Sequence, residues 1–374
     1  MKRPTSRTET RLIGQRGFTV VEMMVAVGVT AVIVAAAMTT VVNTNRANIA
    51  NSQIADTQQN VRLATEIIGR DIKLAGFNYS PTDPATASIA GCTTTVGSIA
   101  KPVSLRPQDQ NSGGADTGPD SLSLVVPVLN TTGWTLSAAA GGTQNAPAPY
   151  NSISLSAAAV TQMVAQGLAI GSTVSIGGAV SKTVASVGAT SIGFGAGNFV
   201  DARFPAGTPV YLLQCVQYQV ISNNVPTCGS TRPCLVRNGV PIVDGVEDLQ
   251  ITYACDGCNT TAPNPALPDG VVDNQDGSTS SGQPSFTQGD FVSNNTWAIT
   301  PWTPDKIKLA QLSIVAIQPK AEQGTNEKGT IAANSSTPAV VGDHDPATSP
   351  GYSAPAYQQQ RRRVLVRTIQ PRNL

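Results

Sequence analysis

Hydrophobic and polar positions divide the chain into two regimes. Residues 18–42 form an almost unbroken apolar run, FTVVEMMVAVGVTAVIVAAAMTTVV, whose one charge is Glu22. As a helix this run spans roughly 37 Å, more than the ~30 Å hydrocarbon core of a bilayer. The spacing then becomes amphipathic. Ile54, Val61, Ile68 and Ala75 recur at heptad intervals, Ala64 and Ile72 fill between them, and Leu63, Ile67 and Leu74 form a second line. Residues 43–75 contain no proline and a single glycine, Gly69, and Gly76 supplies a C-terminal stop. The pattern predicts one helix over 18–75, roughly 87 Å long. Its first half suits a membrane and its second half the side of a globular domain. Gly28, Thr30 and Asn43-Thr44-Asn45 are places where it can bend, and a membrane helix followed by a separate amphipathic helix is the alternative.

From residue 77 the period changes to short alternating or β-branched runs punctuated by Gly, Pro and Asn. Strands are expected at 121–126, 153–155, 172–176, 183–187, 210–221, 234–236, 249–253, 306–317 and 362–369. A long helix packed on a mostly antiparallel sheet follows, an α+β class. Residues 131–205, rich in Gly, Ala, Ser and Thr, read as an inserted β subdomain with a helix at 156–167 and no chemical motif. Residues 256–295 and 324–357 read as long surface loops with little core potential.

Composition narrows the function. Of 374 residues, 24 are Lys or Arg and 23 Asp or Glu, a net charge of +1, so the basic excess of a general nucleic-acid binder is missing. A hydrophobic content of 40% argues against a disordered chain. The one histidine, His344, excludes a multi-histidine metal centre and disfavours histidine catalysis. Charge placement says more. Lys2, Arg3, Arg7, Arg11 and Arg16 face only Glu9 ahead of the apolar run, which predicts a cytoplasmic N-terminus and a remainder on the other side of the membrane. Glu22 does not suit a plain anchor, because a carboxylate in a membrane helix calls for a partner.

The segment Arg16-Gly17-Phe18-Thr19-Val20-Val21-Glu22 resembles the type IV prepilin signal, a basic leader ending in Gly, then Phe, with Glu as the fifth residue after the Gly. The resemblance implies cleavage between Gly17 and Phe18 by a membrane-embedded aspartyl peptidase and N-methylation of Phe18. It makes residues 1–17 a leader, 18–76 a pilin-type helix with the membrane segment at 18–42, and 77–374 a periplasmic globular domain. Glu22 of one subunit would then neutralise the amine of a neighbour's Phe18 inside an apolar bundle, setting register as well as energy. Tyr218-Gln219-Val220, Cys234-Leu235-Val236-Arg237, Pro241 through Leu249 with Tyr253, and the closing Arg367-Thr368-Ile369-Gln370-Pro371-Arg372-Asn373 resemble the PilW-like minor pilins. The bare physical reading of Gly245 is a turn ahead of the apolar positions Val246, Leu249, Ile251 and Tyr253. An ordinary secretory signal, with an apolar stretch at 23–34 and Ala35-Ala36-Ala37 as cleavage site, leaves Glu22 unexplained, as does a simple anchor.

Cys92, Cys215, Cys228, Cys234, Cys255 and Cys258 all lie beyond the membrane segment, where an oxidising compartment favours disulfides. Their connectivity is open, and loop lengths favour Cys228–Cys234, Cys255–Cys258 and Cys92–Cys215. A rival is a zinc ribbon made of the Cys228/Cys234 and Cys255/Cys258 pairs, although its first spacing is irregular. Asp269, Asp273 and Asp276 lie in a Gly-containing loop that could cage Ca²⁺, but the EF-hand pattern is missing and a solvated turn is the simpler reading. No other cofactor is expected. Asp343-His344-Asp345 sits in a Pro/Ser-rich loop unsuited to a working catalytic site. Arg361-Arg362-Arg363 could meet DNA or an acidic surface, but alternation splits the three between faces, so a solvated sheet edge is the simpler reading. No phosphate loop or nucleophile elbow is present.

These readings imply a structural minor pilin rather than an enzyme, one that helps initiate type IV pilus assembly near the filament tip. The family implies other minor pilins, the major pilin, a tip adhesin, the inner-membrane assembly platform and the prepilin peptidase as partners. It places the chain in the inner membrane and later in the extracellular pilus. A J-type pseudopilin of type II secretion is the second reading. A membrane-anchored periplasmic binding protein or enzyme is the third.

Overall fold

The computed structural model describes residues 17–79, 89, 92–96, 99–102, 105–108, 118–128, 133–142, 151–195, 200, 202–221, 226–228, 232–258, 268–275, 277, 279–280, 283–284, 286–292, 306–318, 340–342, 344–348, 357 and 360–373. Residues 1–53 and 54–374 form two compact units. A single helix, α1 (Val20–Leu74), contributes to both. No break occurs at Gly28, at Thr30 or at Asn43-Thr44-Asn45, so the one-helix expectation holds over the alternative of two. Within the first unit the threonine hydroxyls of Thr30, Thr39, Thr40 and Thr44 donate to helix carbonyls three or four residues back. That return bond satisfies each hydroxyl without water, which a helix in lipid requires.

In the second unit α1 buries one stripe, Val61, Ala64, Ile68 and Ile72, in the main core, and Ala75 just beyond its end continues it. Gly76 ends the helix in the left-handed region at φ 73°, and its N–H donates to Val125 O at 3.0 Å, tying the helix terminus to the sheet. Strands β1 (Thr93–Val96) and β2 (Ile99–Pro102) form a hairpin. β3 (Leu105–Gln108) pairs with β4 (Ser121–Pro127), and β4 pairs across a long excursion with β10 (Pro209–Ile221). That excursion carries β5 (Trp134–Thr135), β6 (Ser152–Ser154), α2 (Ala157–Ala165), β7 (Thr173–Ile176), β8 (Val180–Val187) and β9 (Ser191–Phe194). Ser156 caps α2 by accepting from Ala159 N, and a second core runs from Trp134 to Leu212.

β10 joins the two cores. Its first half pairs with β5 on one edge and β7 on the other, and Val210 and Leu212 enter the second core. Its second half pairs with β4 and with β11 (Cys234–Arg237), and Val216 and Tyr218 enter the main core. The insertion thus opens a β4–β10 hairpin without breaking its pairing. β12 (Val240–Asp244) continues the sheet beside β11. The short strands β3 and β12 and the hairpin strand β2 were not expected from sequence. Pro107, Pro241 and Pro102 lie in them, and proline is confined to edges and strand ends.

A second, three-stranded antiparallel sheet follows in the order β13 (Val246–Cys255), β16 (Ile307–Ile317) and β17 (Arg362–Ile369), with a small hairpin of β14 (Thr279–Ser280) and β15 (Gln283–Pro284) between. Gly245 makes the step from one sheet to the other at φ 72°. Its N–H donates to Pro233 O, its carbonyl accepts from Ile317 N, and an added Cβ would lie 3.0 Å from Ile317 O. Val246, Leu249, Ile251 and Tyr253 then enter the main core, as the alternation predicts. Gly69 gives this sheet its approach to α1, since a Cβ there would stand 3.2 Å from Ile369 Cδ1.

One polar cluster crosses the main core. Asp71 of α1 is buried, and its Oδ2 accepts from Tyr218 Oη at 2.6 Å and from Arg237 Nη2 at 3.0 Å and Nε at 3.1 Å. Burial, then the Asp71 carboxylate, pushes the Tyr218 hydroxyl well above its ordinary pKa, so it remains a donor. We expect Tyr218→Phe to cost about 1 kcal/mol of stability. Asp71→Ala, which leaves Arg237 without its carboxylate, should cost about 2–3 kcal/mol, less than a fully buried pair because Arg237 is partly exposed. Thermal unfolding of the full chain in detergent, followed by near-UV circular dichroism, measures both. Unchanged melting of Asp71→Ala would show that this carboxylate does not hold the helix to the sheet.

Candidate functional site

Gly17, Phe18 and Thr19 precede α1 in non-helical backbone. A Cβ on Gly17 would meet nothing within 4 Å, so the free chain places no steric demand for glycine there. Thr19 is the N-cap. Its Oγ1 accepts from Glu22 N at 3.2 Å, while Glu22 Oε2 accepts from Thr19 N at 3.3 Å and from Thr19 Oγ1 at 3.2 Å. This is a reciprocal capping box, satisfying N–H groups that the first helical turn leaves without partners. Glu22 also sits where the helix dipole favours an anion. The signal was legible in sequence, because Thr19 stands three residues before Glu22 ahead of an apolar run. It concerns the same carboxylate that the prepilin resemblance singled out.

The surroundings of Glu22 are apolar and open. Phe18, Val20, Val21, Met23, Met24, Val25, Val27 and Val29 are all exposed in the isolated chain. Among the described residues no Lys or Arg pairs with Glu22. α1 is long and apolar enough here to cross a membrane. A contiguous apolar surface of this kind needs lipid or other helices around it.

The cysteines form Cys92–Cys215, Cys228–Cys234 and Cys255–Cys258. The four sulfurs of the zinc-ribbon reading are therefore bonded in pairs. Cys255, Cys258 and Asp273 do come together, with their sulfur and oxygen atoms within 4.8 Å of one another. Asp273 accepts from Gly257 N at 3.1 Å and Cys258 N at 2.5 Å, and its own N–H donates to Cys255 O. Asp256, beside this turn, accepts from Asp269 N and Gly270 N. Asp269 accepts from Val271 N, and Asp276 lies outside the described residues. The two described carboxylates of the Ca²⁺ reading both hold backbone: Asp269 caps its own turn, and Asp273 ties the acidic loop to the Cys255–Cys258 turn.

Two loop expectations are corrected. The 256–295 segment is more than a surface loop. Val292 exchanges backbone hydrogen bonds with Tyr253, and buried Asp290 accepts from Gln275 N. His344, in the 324–357 segment, is buried with Nδ1 2.7 Å from Asp248 Oδ2. Asp343 lies outside the described residues. Of the three consecutive arginines, Arg362 is held by Glu247 and by the Tyr357 and Gln360 carbonyls, so it is not solvated; Arg361 and Arg363 are exposed.

Loop size ranks the disulfides. Cys92–Cys215 spans a separation of 123 residues and Cys255–Cys258 only 3. On chain entropy, replacing the first pair by serines should cost about 5 kcal/mol and the second about 2 kcal/mol. Chemical denaturation of the two double variants in detergent measures the order, and a reversed order would contradict it.

Against known families the chain gives two matches. Residues 213–373 match PilW, type IV pilus-assembly protein W, and residues 13–38 match the prokaryotic N-terminal methylation motif. No curated protein and no solved structure matches.

Proposed function

Because the chain is a PilW-like type IV pilin, a membrane-anchored protein with a C-terminal globular domain, we propose that it is a minor pilin that helps initiate type IV pilus assembly near the filament tip. In this reading a prepilin peptidase cuts after Gly17 and Phe18 is N-methylated. The globular domain is periplasmic while the first half of α1 is held in the inner membrane, and the protein later leaves in the filament. Its partners are other pilus components: the major pilin, other minor pilins, a tip adhesin and the inner-membrane platform. The role is structural. The PilW match over 213–373 favours the pilus over a J-type secretion pseudopilin.

The observation that carries this reading is the state of Glu22. Its carboxylate is capped by Thr19, yet it stands on an exposed apolar helix with no cation beside it among the described residues. Cleavage after Gly17 creates a cationic amine on Phe18. In an apolar bundle, attraction between that amine on one subunit and Glu22 on another far exceeds its value in water.

Charge and capping separate experimentally, because glutamine at the third helical position still completes a capping box. Glu22→Gln should leave insertion and leader removal intact and lower filament incorporation about tenfold or more. Immunoblots of sheared pili against membrane fractions measure it, and wild-type incorporation would overturn the pairing. N-terminal sequencing of the mature protein should begin at methylated Phe18. A chain that begins at Met38, or retains Met1, would sink the reading.

A further inference from the structure

The two outer edges of the three-stranded sheet are treated differently. On β13 the backbone is covered residue by residue: Leu249 O accepts from Asp120 N, Ile251 N donates to Asp120 Oδ2, Tyr253 exchanges both bonds with Val292, and Cys255 O accepts from Asp273 N. On β17 nothing comparable occurs among the described residues. Its register with β16 is unbroken from Arg362 to Ile369, whereas β13–β16 has two irregularities. It contains no proline or glycine and is not short, so bulge, proline and brevity are all missing as edge protection.

The direction of the open groups follows from antiparallel alternation. Gln318 N donates to Arg361 O at 3.0 Å, in line with the β16–β17 register, so the odd-numbered residues Arg363, Leu365, Arg367 and Ile369 bond inward to β16. Arg362, Val364, Val366 and Thr368 then point their N–H and C=O groups outward. On the face these four share, Asp248, Gln250, Gln311 and Ser313 of the inner strands are buried, with Asp248 held to His344 and Gln311 to Gln288. That cover stops short of β17, where Val364 is 41% and Val366 50% exposed. On the opposite face Arg363 and Arg367 are exposed cations.

We infer that β17 is a docking edge for an extended strand of another polypeptide whose side chains alternate apolar and acidic. Backbone pairing supplies the affinity, and alternate side chains supply the selection. The apolar positions cover Val364 and Val366, and the acidic positions meet Arg363 and Arg367. At the register centred on Leu365, where the two valines of each strand oppose one another, antiparallel self-pairing sets Arg363 opposite Arg367 in both directions, which disfavours a second copy there. The inference stands on the strand's geometry and charge and does not require the filament reading.

The test uses the full chain in detergent micelles and a fluorescein-labelled eight-residue peptide alternating Val and Glu, with a Val/Lys peptide as control. The Val/Glu peptide should bind saturably by fluorescence anisotropy and the control should not. Val366→Pro removes one outward N–H and no bond to β16, so it should leave the melting temperature nearly unchanged and weaken binding about tenfold or more. Arg363→Ser with Arg367→Ser should weaken it as well and flatten its salt dependence. Absence of binding, equal binding of the lysine peptide, or binding indifferent to Val366→Pro overturns the proposal. Concentration-dependent self-association that Val366→Pro abolishes would name a second copy as the occupant and overturn it too.

Discussion

A buried carboxylate fixes how the globular unit is built around its helix. Asp71 lies on the buried side of α1, one residue before Ile72, and cannot remain there charged without donors. Tyr218 comes from β10 and Arg237 from β11, so satisfying one helical side chain pins two neighbouring strands at a defined register. Apolar burial of Val61, Ala64, Ile68 and Ile72 supplies most of the attraction between helix and sheets, but it is tolerant of sliding by a turn. The hydrogen-bonded cluster is not. A shift of one turn would leave Asp71 facing aliphatic side chains.

The same strand that carries Tyr218 explains how the insertion is tolerated. β4 and β10 remain directly paired although the chain between them builds a second core. Because β10 runs on beyond β4 on one edge and beyond β11 on the other, its first half is free to pair with β5 and β7, and the inserted strands grow from an existing ladder. The Cys92–Cys215 bond sits on the middle of β10, next to the point where the two cores meet.

Much of this was legible in the sequence where period and chemistry agreed. The heptad line through Val61, Ile68 and Ala75 located the buried stripe of α1, and alternation along 306–317 located β16. Strands such as β3 and β12 were hidden because each is short and interrupted by a proline, which leaves no alternation signal. Their pairing is decided by the longer strands beside them. The Asp71 cluster was hidden for a different reason. Its members are far apart in sequence, and a lone Asp in an amphipathic helix reads as solvated until the strands are placed. The burial of His344 was likewise invisible, because the partner that explains it, Asp248, belongs to another element. At the N-terminal end the capping box was in plain view, masked by a more specific signal on the same residues.

The two carboxylates of α1 that matter most pose one electrostatic problem with different solutions. Asp71 obtains a hydroxyl donor and a guanidinium from its own chain, so its charge is compensated once the globular unit folds. Among the described residues Glu22 obtains donors from Thr19 alone, a backbone N–H and a hydroxyl. Those donors orient the carboxylate and leave its charge whole. In water that charge is solvated; among apolar helices it is not, and the penalty grows as the surroundings dry. A chain that stayed in the bilayer as a simple anchor would do better with valine or leucine at this position. The acid becomes favourable only where an equal positive charge is delivered to the same dry depth, and in the proposed reading a Phe18 amine freed on an adjoining subunit would be such a charge.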